Sequence, residues 1–230
     1  MVIILKKTVQ IAIDGPSGSG KSTLAKNLAK RLGYIYIDTG ALYRAVGLYA
    51  AENRVPESDP EKVVPLLGEC RLEMRLENGG NAVFLNGKCL GNEIRTEEIS
   101  RYASQVSKVP EVRQFLLETQ RAIARTENVI MDGRDIGTVV LPEADVKIFM
   151  SASPEARAAR RYRELIAKGE RPAYQDVLKD IIWRDKNDSE REIAPAVPAA
   201  DAVLMDNTAL DIDGTVDLAL KIIRERMQNG

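Results

Sequence analysis

The sequence predicts an α/β fold, a parallel sheet covered by helices with a small antiparallel meander set into it. Three observations carry this expectation. Short apolar runs alternate with stripes at helical spacing along most of the chain, the pattern of strand–helix–strand units. A glycine-rich stretch, IDGPSGSGKST at residues 13–23, directly follows the first apolar run. Between about residues 66 and 92 the helical spacing gives way to strict alternation, which marks antiparallel strands.

Taken in order, Val9 to Ile13 is a short β-branched run suited to a strand buried on both faces. Leu24, Leu28 and Leu32 then recur at helical spacing, and Gly33 stops that helix. Tyr34 to Ile37 reads as a second strand. In the meander, Cys70, Leu72, Met74 and Leu76 alternate with polar residues, NGGN at 78–81 breaks the run, AVFL follows, and Asn86-Gly87 turns the chain into KCL. Insertions of this kind sit at the rim of a site. Further strands are expected at Asn128 to Asp132, Val146 to Met150 and Ala202 to Met205. Val216, Leu220, Ile223 and Met227 form the apolar stripe of a final helix.

Composition removes several function classes. At 230 residues, with 44% hydrophobic and 29% charged, the chain is globular and long enough for one α/β domain or a core with an inserted smaller one. The 33 basic residues nearly cancel the 34 acidic ones, so neither nucleic acid nor a membrane surface is an expected partner. Anion binding must come from local clustering. There is no histidine, which removes serine–histidine hydrolysis and histidine metal sites. Cys70 and Cys89 form no Cys-x-x-Cys pair and read as small buried hydrophobes in a reducing compartment. The opening MVIILKK lacks the length and charge order of a signal peptide, and no apolar run approaches the roughly 18 residues of a membrane span. A cytoplasmic protein is expected, working as a monomer.

The glycine-rich stretch fits the G-x-x-x-x-G-K-[ST] pattern through Gly15, Gly20, Lys21 and Ser22, with Gly18 between. Glycines let successive N–H groups turn inward around phosphate oxygens, the lysine reaches the β- and γ-phosphates, and the serine can ligate magnesium. The helix that follows adds its N-terminal partial charge. Gly15, Pro16, Ser17, Gly18, Ser19, Gly20, Lys21, Ser22 and Thr23 are therefore the expected ATP-binding loop. Asp132 closes an apolar strand, where a carboxylate would join Ser22 in holding Mg²⁺.

The acceptor decides the rest. An alcohol needs a base to take its proton, whereas a phosphate monoester, with a second pKa near 6, is already largely ionised at neutral pH. Its difficulty is the approach of two polyanions, which arginine forks can neutralise. Ser153-Pro154-Glu155 is a helix start, and beyond it Arg157, Arg160, Arg161 and Arg163 crowd two turns. A solvated face paired with Glu155 and Glu164 would look similar. Arg184, Asp188 and Arg191 are spaced to align on one helix face, as they also would be in a salt-bridge ladder.

IDGPSGSGKST, DTGALYRA (Asp38 to Ala45), ASQVS (Ala103 to Ser107), DGRDIGTVV (Asp132 to Val140) and PAVPAADAVL (Pro195 to Leu204), in this order, closely resemble bacterial cytidylate kinases from about residue 9 to 225. The resemblance implies a P-loop core with a five-stranded parallel sheet and helices on both faces. The core would be residues 1–40 and 106–230, with a short lid at about 155–175. Residues 41–105 would be the monophosphate-binding region, carrying the antiparallel insert at about 66–92. It also implies roles. Thr39, Arg44 and Arg134 would hold the acceptor phosphate; Ser104, Arg113 and Asp135 would surround the base; Arg184 and Asp188 would hold the sugar. Arg157 and its lid neighbours would cover the donor triphosphate, and Lys21, Arg134, Arg157 and Arg191 are the expected catalytic residues. Thr39 stands where many relatives have serine, and the 163–176 lid segment matches no familiar motif.

The expected reaction is ATP-dependent phosphorylation of CMP and dCMP. A carboxylate at Asp135 accepts from the exocyclic amino group of cytosine, whereas uracil presents a second acceptor there. The alternatives are a kinase for UMP or another small phosphorylated metabolite, and a P-loop switch. Guanine readers carry Asn-Lys-x-Asp, which DKND at Asp185 to Asp188 only scrambles.

Overall fold

The structure, a computed structural model, describes residues 8–77 and 80–229. The opening 1–7 stretch and the turn expected at 78–79 lie outside the described residues. Along the chain run β1 (Gln10–Asp14), α1 (Lys21–Leu32), β2 (Ile35–Asp38), α2 (Thr39–Glu52), a 3₁₀ segment (Pro60–Glu69), β3 (Leu72–Glu77), β4 (Gly80–Leu85) and β5 (Lys88–Leu90). A short 3₁₀ turn (Asn92–Arg95) leads to α3 (Glu97–Val106) and α4 (Pro110–Ala124), then β6 (Val129–Gly133), a π-type turn (Ile136–Val140) and β7 (Val146–Ser151). The chain closes with α5 (Pro154–Ala167), α6 (Tyr174–Ser189), β8 (Val203–Asp206) and α7 (Ile212–Asn229).

Five strands form one sheet in the order β2-β6-β1-β7-β8, every pair parallel, and β3, β4 and β5 form a separate antiparallel sheet. β1 shows why the main sheet is covered on both sides. Ile11 and Ile13 pack with Leu24 and Leu28 of α1 and Val216 and Ile223 of α7, while Ala12, between them, packs with Ile37, Met131 and Ile136. A third apolar cluster joins α2, α3 and α4 to Val83, Leu85 and Leu90 of the meander. α5 and α6 have a cluster of their own, Ala158, Leu165, Val177 and Ile181.

Three expectations need adjustment. Cys70 is buried, but Cys89, read as a second small buried hydrophobe, is exposed on β5. Met227, assigned to the apolar stripe of the last helix, is 44% exposed, because α7 runs past the sheet it covers. β1, β2, β6 and β8 each begin and end one residue later than their apolar runs. Strand pairing is a property of the backbone and continues past the apolar pattern. That extra residue carries chemistry: Asp14 pairs in register with Gly133, and Asp38 with Asp132. Carboxylates are thus collected at the carboxyl edge of the parallel sheet, where ligands of such folds bind.

Candidate active site

The glycine loop joins β1 to α1. Gly15 has φ +147, and a Cβ there would press into the Met150 carbonyl of β7, so the loop can lie this close to the sheet only without a side chain. The Ser19 hydroxyl is buried without a hydrogen-bond partner among the described residues. Lys21 opens α1, is buried, and its Nζ donates to the Pro16 carbonyl at 3.1 Å. Burial, then the Arg134 charge, pushes its ammonium down to about 7. An anion in the loop would oppose this shift by favouring the charged ammonium.

Ser22 Oγ donates to Asp132 Oδ2 at 2.6 Å, and Tyr36 OH donates to Asp132 Oδ1 at 2.9 Å. Burial, and after it the Asp38 charge, raises the Asp132 carboxyl above its ordinary range. A hydroxyl and a carboxylate in contact, the latter strained by burial and a like charge, suit a hard divalent cation. Among the described residues no three acidic, histidine or cysteine side chains cluster as metal ligands, so further ligands would have to come from phosphates and water.

Ser17, Gly18, Lys21, Ser22 and Asp132 share a cleft of about 260 Å³ with Thr39, Arg44, Ser104, Arg113, Arg134, Asp135, Arg184, Asp188 and Arg191. The sequence-expected acceptor residues therefore line one space, though they come from six separate segments. Most of its arginines rest on carboxylates. Arg44 pairs with Asp38 at 3.0 Å, Arg134 with Asp188 at 2.7 Å and Arg184 with Asp180 at 2.9 Å. Arg113 pairs closely with Asp135, and Arg191 Nη2 stands 3.6 Å from the other oxygen of the same carboxylate. That Nη2 and Arg44 Nε are buried without hydrogen-bond partners among the described residues. Asn187 Nδ2 donates to Ser104 Oγ at 2.8 Å, and Thr39 Oγ1 donates to the Asp132 carbonyl at 2.7 Å. Thr39 also starts α2, whose first amides have no partner within the helix.

The structure departs from expectation at two arginines. Arg157, expected over donor phosphates, is only 3% exposed. It forms a bidentate pair with Asp185 at 2.9 and 2.6 Å and donates to the carbonyls of Ala152 (2.8 Å) and Ser17 (3.0 Å). It braces the glycine loop from beneath. Arg160 and Arg163 instead line a second, larger cleft of about 760 Å³ with Gly18, Gly20, Lys21, Ser22 and Thr23. Arg161 pairs with Glu164 at 3.4 Å, as a solvated face would. Arg191 does not continue the face of Arg184 and Asp188, because α6 ends at Ser189. Ala194, at φ +48, turns the chain back, and Arg191 Nε donates to its carbonyl at 2.6 Å while Nη1 donates to Ser107 Oγ at 3.2 Å.

Three aspartates escaped the sequence reading. Asp38 caps α2 through the Ala41 amide and holds Arg44 and Arg95. Burial opposes its charge, but those arginines keep its carboxyl below the ordinary range. Asp14 is buried at the end of β1 and accepts from the amides of Ile136 and Gly137, both at 2.8 Å. It ties the glycine loop to the segment bearing Arg134 and Asp135. Asp185 holds Arg157. The available signal was position, since Asp14 and Asp38 end strands and Asp185 follows Arg184.

A profile of the cytidylate kinase family matches residues 11–225. The cytidylate kinase of Thermosipho melanesiensis is 52% identical over 217 residues, covering 94% of this chain and 97% of its own length. That of Caldicellulosiruptor bescii is 47% identical over 223 residues, covering 97% and 99%. Among solved structures, a gluconokinase from Sinorhizobium meliloti 1021 is similar with a TM-score of 0.50 at 15% identity, covering 97% of this chain and 96% of that one, a likeness of fold alone. With a strand–glycine loop–helix unit, an aspartate beside its serine and a match over nearly the whole length, the chain belongs to the cytidylate kinase family.

Proposed function

We infer that this protein transfers the γ-phosphoryl group of ATP to the phosphate of CMP and dCMP, yielding ADP and CDP or dCDP. The observation that carries this reading is one cleft in which five arginines and the loop lysine converge beside Asp135. Two nucleotides of like charge repel, and positioning with charge neutralisation is what phosphoryl transfer requires of a protein. The carboxylates that hold these arginines keep the forks ordered before substrate arrives. Phosphate oxygens then accept from the guanidinium edges that the carboxylates leave open, such as Arg44 Nε and Arg191 Nη2. No base is needed, because the acceptor phosphate is already largely ionised at neutral pH.

Arg44, Arg134 and the first amides of α2 would hold the acceptor phosphate. Asp135 would accept from the cytosine amino group, with Arg113 and Ser104 around the base, and Asp188 and Arg184 would take the sugar hydroxyls. A 3′-hydroxyl suffices for Asp188, so deoxyribose is accepted too. Lys21 and Arg191 would bear on the phosphates in transit. Arg160 and Arg163, rather than Arg157, would face the donor. Ser22 and Asp132 would hold Mg²⁺, which neutralises phosphate charge when bound. The 41–105 region and a lid at about 155–175 would close to exclude water. The protein would act as a monomer in the cytoplasm.

A panel of CMP, dCMP, UMP and AMP with ATP and Mg²⁺ tests this, with the two cytosine nucleotides expected to dominate. A leading rate with UMP would remove Asp135 as the base reader, and no transfer to any of them would end the reading.

A further inference from the structure

Arg95 belongs to no part of the site described so far. It ends the 3₁₀ turn that follows the meander, and its guanidinium lies 3.4 Å from Asp38 Oδ2. Asp38 is the carboxylate that also holds Arg44 at 3.0 Å, and its side chain is only 14% exposed. One largely buried carboxylate therefore fixes two guanidiniums. Arg44 lines the acceptor cleft. Arg95 instead lines the larger cleft, together with Gly20, Lys21, Ser22, Thr23 and Arg163. Its side chain is 48% exposed, so it keeps donors free for a ligand while Asp38 restrains it.

We propose that Arg95 is a donor-side phosphate ligand, a catalytic residue delivered to the glycine loop by the antiparallel insert. A guanidinium anchored on one carboxylate and open on its other edge matches a polyphosphate chain. The placement gives the insert a chemical role beyond covering the site. The 3₁₀ turn is joined to β5 by a single residue, and Ile94 beside Arg95 is buried. Ordering of the meander is thereby transmitted to a charge at the donor cleft. Asp38 couples the two halves, because the carboxylate that restrains Arg95 also holds Arg44 through its Nη2.

This proposal rests on the kinase reading, and its test separates the two. Binding of Mg·ADP is measured by calorimetry without acceptor, for the parent protein, Arg95→Ala and Arg95→Lys; CMP binding is measured alone. Loss of one charge-assisted contact should weaken Mg·ADP about tenfold in Arg95→Ala, with partial recovery in Arg95→Lys and CMP affinity within about twofold of the parent. An unchanged Mg·ADP affinity overturns the proposal. So does a loss confined to CMP, or equal for both ligands, since Arg95 would then act only by holding Asp38 and Arg44. A parent protein that binds Mg·ADP through Arg95 yet leaves CMP unphosphorylated sinks the kinase reading and leaves Arg95 in place.

Discussion

At the scale of single residues, charges in this cleft are held in pairs before any ligand arrives. Asp135 is the clearest case, buried with Arg113 against one oxygen and Arg191 near the other. A carboxylate offers only acceptors, as reading an amino group requires. Asp135→Ala should lower kcat/KM for CMP at least a hundredfold while ATP affinity stays within about twofold, the scale of loss when a buried polar partner is removed. Steady-state kinetics with each substrate varied in turn checks this, and equal losses for both nucleotides would count against base reading. Arg157 carries the opposite lesson. With Asp185 and two carbonyls around it, it has become part of the loop's support.

Among the elements, the glycine loop is built around one steric fact. β7 passes so close beneath it that a Cβ on Gly15 would meet the Met150 carbonyl. Backbone cannot give way as a flexible side chain can. Gly15→Ala should therefore cost on the order of 3 kcal/mol of unfolding free energy, read from urea titrations, and should weaken ATP binding by displacing the loop. Stability equal to the parent's would show that the loop does not need this close approach. α5 and α6 pack through a small apolar cluster of their own, and Arg157 and Arg160 of α5 tie the pair to the glycine loop through the carbonyls of Ser17 and Ser19.

For the whole molecule, Asp14 links the glycine loop to the π-type turn, since its two oxygens accept from Ile136 and Gly137. Burial pushes its carboxyl up to about 6, from 3.8, in spite of those amide donors. Between these values the folded protein holds a proton that the unfolded chain has released, so stability falls as pH rises through this window. The charge penalty is complete above about pH 6 and relieved towards pH 3.8. Asp14→Asn has no such titration, and its amide must turn a donor towards one of the two N–H groups. The variant should be less stable than the parent at every pH. The gap should widen by about 2 kcal/mol as pH falls from 6 to 4. Chemical denaturation at several pH values checks it; a constant gap would mean that Asp14 does not titrate in the folded protein.

Much of this was legible in the amino-acid order. The five strands, the first and last helices and the meander are written in local periodicity, and the loop in a fixed spacing of glycines, because each depends on neighbours within a few residues. Arg44, Arg113 and Arg134, which line the cleft, were singled out only through family resemblance. Tertiary structure alone decided which partner each charge would have. Arg157 and Asp185 lie 28 residues apart, Arg134 and Asp188 54, and Arg95 and Asp38 57. Helical spacing sets the direction in which a side chain leaves its own helix, not what stands there, and so could neither bury Arg157 nor carry Arg191 past the end of α6. Those outcomes follow from the packing of distant elements against a common sheet, which no short stretch of chain encodes.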